Sequence, residues 1–280
     1  MKKSTILRNL LNSGETLVMP DAYDPISARI IERAGFKAVQ CSGGSFAFAA
    51  CYPSEVDVNI AENVRITRMI ADAVDVPVMA NGEDGYGDLN VVPDTVSRFI
   101  RAGAAGVNIE DLVPVRDRTY EIVDASYMAE KIVATRKRAA AEGDPDFIIN
   151  ARTDALRAFD SREDGLKEAI ERANLYIEAG ADLAFICYAA TLDEVKTLVK
   201  EVHGQISIAA GMPYNIKAFS IDDLRELGVA RVSLPMTAIL TAINAMSKVM
   251  SMISEPDGFA KIVDEGFYCP PEELSALLSR

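Results

Sequence analysis

Residues 76–88 read VPVMANGEDGYGD. The stretch opens as an apolar strand through Val76, Pro77, Val78, Met79 and Ala80, then delivers Asn81, Glu83 and Asp84 on a turn that carries Gly82, Gly85 and Gly87. A buried strand ending in acidic groups on a loop of glycines is how a barrel enzyme presents ligands at the carboxyl-end face of its sheet. An Asn-Gly turn with solvated acids has the same local sequence. The rest of the chain decides between the two, because the pattern recurs.

Seven further apolar runs lie at residues 16–19, 38–41, 106–109, 146–150, 183–187, 206–210 and 229–234. Helical patterns alternate with them: a lead helix over 5–12, then 25–34 opened by Pro25, 59–73, 93–102 ending at Gly103, 125–141, and 162–179 with Gly180 as its cap. Parallel neighbours need crossovers, which these helices supply. The pattern therefore predicts an α/β fold, a (β/α)8 TIM-type barrel. A doubly wound open sheet would carry a glycine fingerprint after its first strand, and residues 21–27 lack one. No repeat, low-complexity segment or linker divides the chain, so residues 1–280 read as a single barrel domain. Residues 236–280 form a helical tail broken at Pro256 and at Pro270 and Pro271. That tail is too long for one closing helix, and its surplus is expected to pack on a neighbouring subunit.

A chain of 280 residues that is 49% hydrophobic can bury a core of barrel size. Its formal net charge of -13 repels phosphate backbones and anionic membranes, so neither nucleic acid nor a membrane is an expected partner. An anionic substrate needs local cations or a bound metal to offset that field. The N-terminal MKKSTILRNLLNSGET has no long apolar core or small-residue cleavage site, and no later run reaches the roughly 18 to 20 apolar residues of a membrane span. The expected location is cytoplasmic. Cys41, Cys51, Cys187 and Cys269 are scattered without a CxxC pair and read as reduced thiols. The lone histidine, His203, follows a helix and faces the wrong end of a βα unit for catalysis. Acid–base work then falls to Asp, Glu, Tyr, Ser, Lys or Cys.

Just past the strand ends stand Asp21, Tyr23 and Asp24; Ser42, Gly43 and Gly44; Asn81, Glu83 and Asp84; Glu110 and Asp111; Arg152 and Asp154; Cys187 and Tyr188; Pro213 and Asn215. On a barrel these converge on one face. Glu83 and Glu110, from adjacent strands, repel each other unless a cation lies between them, and oxygen-only ligands favour Mg2+ or Mn2+. The alternative is a barrel-mouth salt bridge in which Glu110 or Asp111 pairs with Arg152. Ser42, Gly43 and Gly44 offer a hydroxyl and close backbone N–H groups to an anion, or form a plain turn. Arg152 can clamp a carboxylate bidentately. Gln40, Ser54, Cys187, Tyr188 and Asn215 are candidates for shaping the pocket.

CSGGSFA, PVMANGEDGYGD, AAGVNIEDL and DFIINARTDA, in that order and with these spacings, resemble the isocitrate lyase and phosphoenolpyruvate mutase superfamily over residues 16–250. The resemblance implies a modified barrel that binds a 2-oxo or 2-hydroxy di- or tricarboxylate on Mg2+, with Mn2+ as the alternative ion. It also implies a homodimer or homotetramer that exchanges its last barrel helix. By position it assigns Ser42, Gly43 and Gly44 to the substrate carboxylate and oxo group, Asn81, Glu83 and Glu110 to the metal, and Arg152 to the carboxylate clamp. Tyr23 and Asn215 complete the expected substrate-binding set, and Arg152, Glu110 and Tyr120 the catalytic one.

Two departures shape the functional expectation. Asn81 stands where the family usually has aspartate, and Glu83 replaces a shorter aspartate. The segment LVPVRDRTYEIVD lacks the KKCGH or KRCGH motif of the isocitrate and methylisocitrate lyases, and lacks the lysine and asparagine of the phosphonate enzymes, although Arg116 and Arg118 supply positive charge. The expected activity is a Mg2+-dependent lyase cleaving a C–C bond of a small 2-hydroxy or 2-oxo dicarboxylate through a metal-stabilised enolate. The alternatives are C–P chemistry on a phosphonate, or a carboxylate-binding homologue impaired in turnover by Asn81.

Overall fold

Eight strands close into one barrel: β1 (Leu17–Ala22), β2 (Val39–Cys41), β3 (Val78–Asn81), β4 (Gly106–Glu110), β5 (Ile148–Thr153), β6 (Leu183–Ile186), β7 (Ile206–Ala209) and β8 (Arg231–Leu234). Each pairs in parallel with the next, and β8 returns to β1 through Leu17 opposite Arg231. The structure, a computed structural model, describes residues 1–114 and 120–279. Almost every strand residue is buried, because one face lies inside the barrel and the other under helices. The eight-stranded barrel expected from the alternating pattern is the observed fold.

The helices are α1 (Lys3–Leu11), α2 (Pro25–Arg33), α3 (Gly43–Ala49), α4 (Ile60–Ala73), α5 (Val92–Arg101), α6 (Ala125–Ala141), α7 (Ala155–Ala158), α8 (Arg162–Glu178), α9 (Leu192–Glu201), α10 (Ile221–Glu226), α11 (Thr237–Ile253), α12 (Gly258–Asp264) and α13 (Pro271–Leu278). Through Leu7 and Leu11, α1 joins a buried cluster with Leu17, Ala38, Ala105, Ile148 and Leu183, which stand at or beside the first residues of their strands. That plug closes the amino-end mouth and leaves the carboxyl-end face for chemistry. Asp24, expected at the mouth, caps α2 instead: its side chain accepts from Ser27 N at 2.7 Å in a reciprocal capping box.

Two short helices and a 3-10 turn over Glu55–Asp57 occupy segments that the sequence pattern leaves as loops. The Ser42 side chain caps α3 by accepting from Ser45 N at 3.3 Å, while Phe46 and Ala47 are buried. A seven-residue helix is too short to show a 3.6-residue period. Ser42, Gly43 and Gly44 are thus a helix start and not a plain turn.

In the tail, α11 packs against β1 and α3, and α13 lies on α2, where Arg29 Nη1 donates to the Leu277 and Leu278 carbonyls at 2.8 and 2.7 Å. Met246, Met250, Phe259 and Val263 stay exposed, with 57 to 75% of their surface free. Among the described residues no helix is long and apolar enough to cross a membrane.

The barrel interior holds a polar network. Arg231, fully buried, donates to Ser207 Oγ (2.8 Å) and Gln40 Oε1 (2.6 Å), and Ser233 Oγ donates to Asp21 Oδ1 (3.0 Å). Gln40 is therefore committed inside the barrel and does not shape the pocket. Burial pushes the Asp21 carboxyl up to about 7, against the opposing pull of Arg231 and of the Ser233 hydrogen bond. A carboxyl raised in the folded state holds a proton that the unfolded chain has lost, so its contribution favours folding at low pH and is lost as pH rises through about 7. The Asp21→Asn variant is expected to gain stability relative to the parent on going from about pH 5 to about pH 8. Urea denaturation at the two pH values measures this; a stability difference that does not change with pH contradicts it.

Candidate active site at the carboxyl-end face

The loop after β3 places the first acid. Glu83 has φ +48°, a left-handed conformation unusual for a residue with a Cβ, and Gly85 at +92° completes the turn. The ladder to β4 continues past the strand end: Gly82 N donates to Asn108 O at 2.8 Å and Glu110 N to Glu83 O at 2.9 Å. Glu83 and Glu110 are thereby fixed on neighbouring backbones. Register places Glu110 opposite Arg152 of β5, and their side chains meet with Nη1 to Oε2 at 2.6 Å. Asp154 grips the same guanidinium from Nε (2.7 Å) and Nη2 (2.8 Å). The barrel-mouth pairing of Glu110 with Arg152 is therefore present, while Asp111 turns away to Arg172 Nη1 (3.1 Å) and Tyr176 Oη (2.8 Å).

A third carboxylate comes from an unexpected place. Glu55, on the 3-10 turn capped by the Ser54 side chain, joins Glu83 and Glu110 so that one oxygen from each lies within 4.8 Å of the others. Burial pushes all three carboxyls upward. At all three, repulsion from neighbouring carboxylates adds to burial, from Glu55 and Glu110 in the case of Glu83, and Arg152 offsets part of the push. Burial also works against the Arg152 charge, but Asp154, Cys187 and Glu110 around it outweigh that and hold it protonated.

Three clustered hard oxygen donors with one cationic neighbour are the donor set that Mg2+ or Mn2+ takes. Glu110 Oε2 is buried and has its ion pair with Arg152 Nη1 at 2.6 Å but no further donor among the described residues. The residues fit a divalent cation. Asn81 is placed differently from the expected ligand: its Nδ2 donates to Glu83 Oε1 at 2.8 Å, so it orients an acid. Asn81, Asn108 and Asn150 stand in one register row across β3, β4 and β5. Gly43 is indispensable to this packing, since a Cβ there would lie 1.9 Å from Glu83 Oε1 and 2.6 Å from Asn81 Nδ2.

Two cavities meet at these acids. An inner one of about 130 Å³ is lined by Ser42, Gly43, Gly44, Asn81, Arg152 and Cys187, among others. An outer one of about 710 Å³ is lined by Glu83, Glu110, Tyr120 and Arg157, and Glu55 and Tyr188 border both. Two expected substrate contacts lie elsewhere. Tyr23 packs in the cluster around α2, α3 and α4 and lines neither cavity. Asn215 spends its amide on backbone, donating to Ala189 O (3.0 Å) and Ala209 O (2.8 Å) and accepting from Met212 N (3.0 Å). Tyr120 lies at the outer rim with its ring against Arg157. Arg116 and Arg118 lie outside the described residues. Cys41 and Cys187 are buried and Cys51 and Cys269 exposed, all four as free thiols.

Clustered acids and a buried arginine at the carboxyl-end face of a closed barrel are the layout of a barrel enzyme. The chain belongs to the phosphoenolpyruvate phosphomutase family, whose pattern matches residues 7–254. It is 30% identical over 264 residues to the 2-methylisocitrate lyase of Aeropyrum pernix, covering 93% of this chain and 82% of that protein. It is also 30% identical to the 2,3-dimethylmalate lyase of Eubacterium barkeri, covering 94% and 90%. A phosphonopyruvate hydrolase solved with oxalate and Mg2+ superposes with a TM-score of 0.82 at 28% identity, over 99% of this chain and 95% of that one.

Gly43→Ala is expected to weaken Mn2+ binding by ~tenfold or more, because the added methyl must displace the Glu83 carboxylate that Asn81 holds. Electron paramagnetic resonance of free Mn2+ in a titration reads this directly. Unchanged affinity would place the ion away from Glu83.

Proposed function

We propose that the chain is a divalent-cation-dependent lyase that cleaves a C–C bond of a small 2-hydroxy or 2-oxo dicarboxylate. The observation that carries the reading is the convergence of Glu55, Glu83 and Glu110 beside Arg152. Glu55, Glu83 and Glu110 would hold Mg2+ or Mn2+, with Asn81 keeping Glu83 in position. A cation held there supplies positive charge to the substrate's 2-oxygen as that oxygen gains electron density. Arg152 lines the inner cavity and retains N–H groups beyond those given to Asp154 and Glu110; it fixes the carboxylate next to the bond that breaks. Ser42 and Gly43, at the start of α3, border the same space, and the amide groups of that first turn favour an anion. Tyr120, at the rim of the outer cavity, stands where a proton can reach the departing fragment.

C–P chemistry on a phosphonate is the second reading. Its support is the likeness to the phosphonopyruvate hydrolase that was solved with oxalate and Mg2+. Thermal unfolding with and without Mg2+, against oxalate, oxaloacetate, phosphonopyruvate and alkyl-malates, tests both readings, since a ligand of the native state raises the melting temperature. A shift with oxalate that requires Mg2+ is expected, followed by turnover of a dicarboxylate. Turnover of phosphonopyruvate alone selects the second reading, and no shift with any acid rejects both. Asn81→Asp adds an anion to the site and is expected to tighten Mg2+ binding. If the parent binds without turnover and Asn81→Asp restores it, the impaired homologue is the correct description.

The exposed apolar residues of α11 and α12 support a dimer or tetramer in which the tail packs on a neighbouring subunit. Sedimentation equilibrium is expected to give two or four chains; a monomer at micromolar concentration contradicts it.

A further inference from the structure

The outer cavity is acidic. Glu55, Glu83, Asp84 and Glu110 line it, and the cation among its described lining residues is Arg157. Among the described lining residues the acids outnumber the cations, and Arg157 is the one placed to meet a second negative group on a substrate there. Arg152 does not serve that end, because it lines the inner cavity and not the outer one.

Arg157 projects from α7, five residues beyond Arg152. Its guanidinium carbon lies 3.3 Å from the Tyr120 ring centroid and 4.7 Å from that of Tyr188. Nη1 donates to Tyr188 Oη at 2.6 Å and Nη2 to Tyr120 Oη. Among the described residues its hydrogen-bond partners are these two phenols and no carboxylate. A guanidinium carries five N–H donors, so three remain for a ligand. Two tyrosines thus hold a cation that has no carboxylate partner among the described residues, at the rim of a cavity that the Glu55, Glu83 and Glu110 cluster also lines. That arrangement pre-orders a bidentate carboxylate receptor.

We propose that Arg157 is a specificity-determining residue: it takes the substrate's second carboxylate, remote from the metal-site acids, and so selects 2-oxo or 2-hydroxy diacids over monoacids. The proposal rests on the reading of the site as a cation-dependent carboxylate enzyme. Tyr188, which borders both cavities and bonds Arg157, fixes the span between the inner and outer carboxylates. Hydrogen bonds to two phenols with donors left over suit arginine better than lysine, whose ammonium has three donors in all.

The test is calorimetric binding in the presence of Mg2+. Oxaloacetate, 2-oxoglutarate and 2-oxoadipate are each compared with the monoacid of equal chain length, and oxalate serves as a probe that ends at the metal site. The parent is expected to prefer at least one diacid over its monoacid by ~tenfold or more, Arg157→Ala to abolish that preference, and Arg157→Lys to retain part of it. Oxalate affinity is expected to stay within about twofold in both variants, since oxalate does not reach the rim. Oxalate binding unchanged while the diacid preference survives Arg157→Ala overturns the role of Arg157 and leaves the metal-site reading intact. No diacid preference in the parent overturns it as well. Failure of the parent to bind oxalate with Mg2+ removes the reading beneath it.

Discussion

Three carboxylates that repel one another, two of them buried and Glu55 half-buried at the edge of a cavity, are the constraint around which the carboxyl-end face is built. Glu55, Glu83 and Glu110 bring one oxygen each within 4.8 Å of the others, and Arg152 supplies a single positive charge against them. Burying like charges is costly unless the charge is balanced, and the upward push on all three carboxyls is the signature of that imbalance. A divalent cation bound among them would resolve it. The rest of the face serves to keep the acids in place: Glu83 sits in a left-handed backbone conformation, Asn81 binds its carboxylate, and Gly43 leaves the room that any side chain would fill. Backbone strain of this kind persists where surrounding structure over-determines it.

The barrel sets these positions through register. Because β3, β4 and β5 are adjacent and parallel, Asn81, Asn108 and Asn150 share one row and Glu110 stands beside Arg152 one row further on. Asp154 then holds Arg152 with two hydrogen bonds, and Asp111 anchors the layer outside it to Arg172 and Tyr176. A chain of ion pairs thus runs from the site into the helical shell. The plugged amino-end mouth leaves one face open, and it is the face to which this charge pattern points.

The eight strands were legible because each is a mostly apolar run bounded by turn residues; the polar residues among them, such as Gln40, Ser207, Arg231 and Ser233, pair with one another inside the barrel. Glu83, Glu110 and Arg152 were legible because each follows directly on such a run. Glu55 was not: it sits on a 3-10 turn well before β3, where no period marks its direction, and its one local sign is the capping Ser54 before an acidic turn. Tyr23 and Asn215 show the converse error. Both follow strand ends, yet Tyr23 packs sideways among α2, α3 and α4, and Asn215 closes backbone groups of the β6 and β7 loops. Position past a strand end fixes the height of a residue on the barrel, but local backbone demand fixes where its side chain goes. For Asn81 the position was legible and its contact was not, because only the geometry shows the amide turned toward Glu83.

Anomalous diffraction from a crystal grown with Mn2+ tests the central claim most directly, since it locates the ion without reference to turnover. A single strong peak within coordination distance, about 2.0–2.3 Å, of carboxylate oxygens from Glu55, Glu83 and Glu110 is the predicted result. A peak at other acids, or none among these three, would contradict the account.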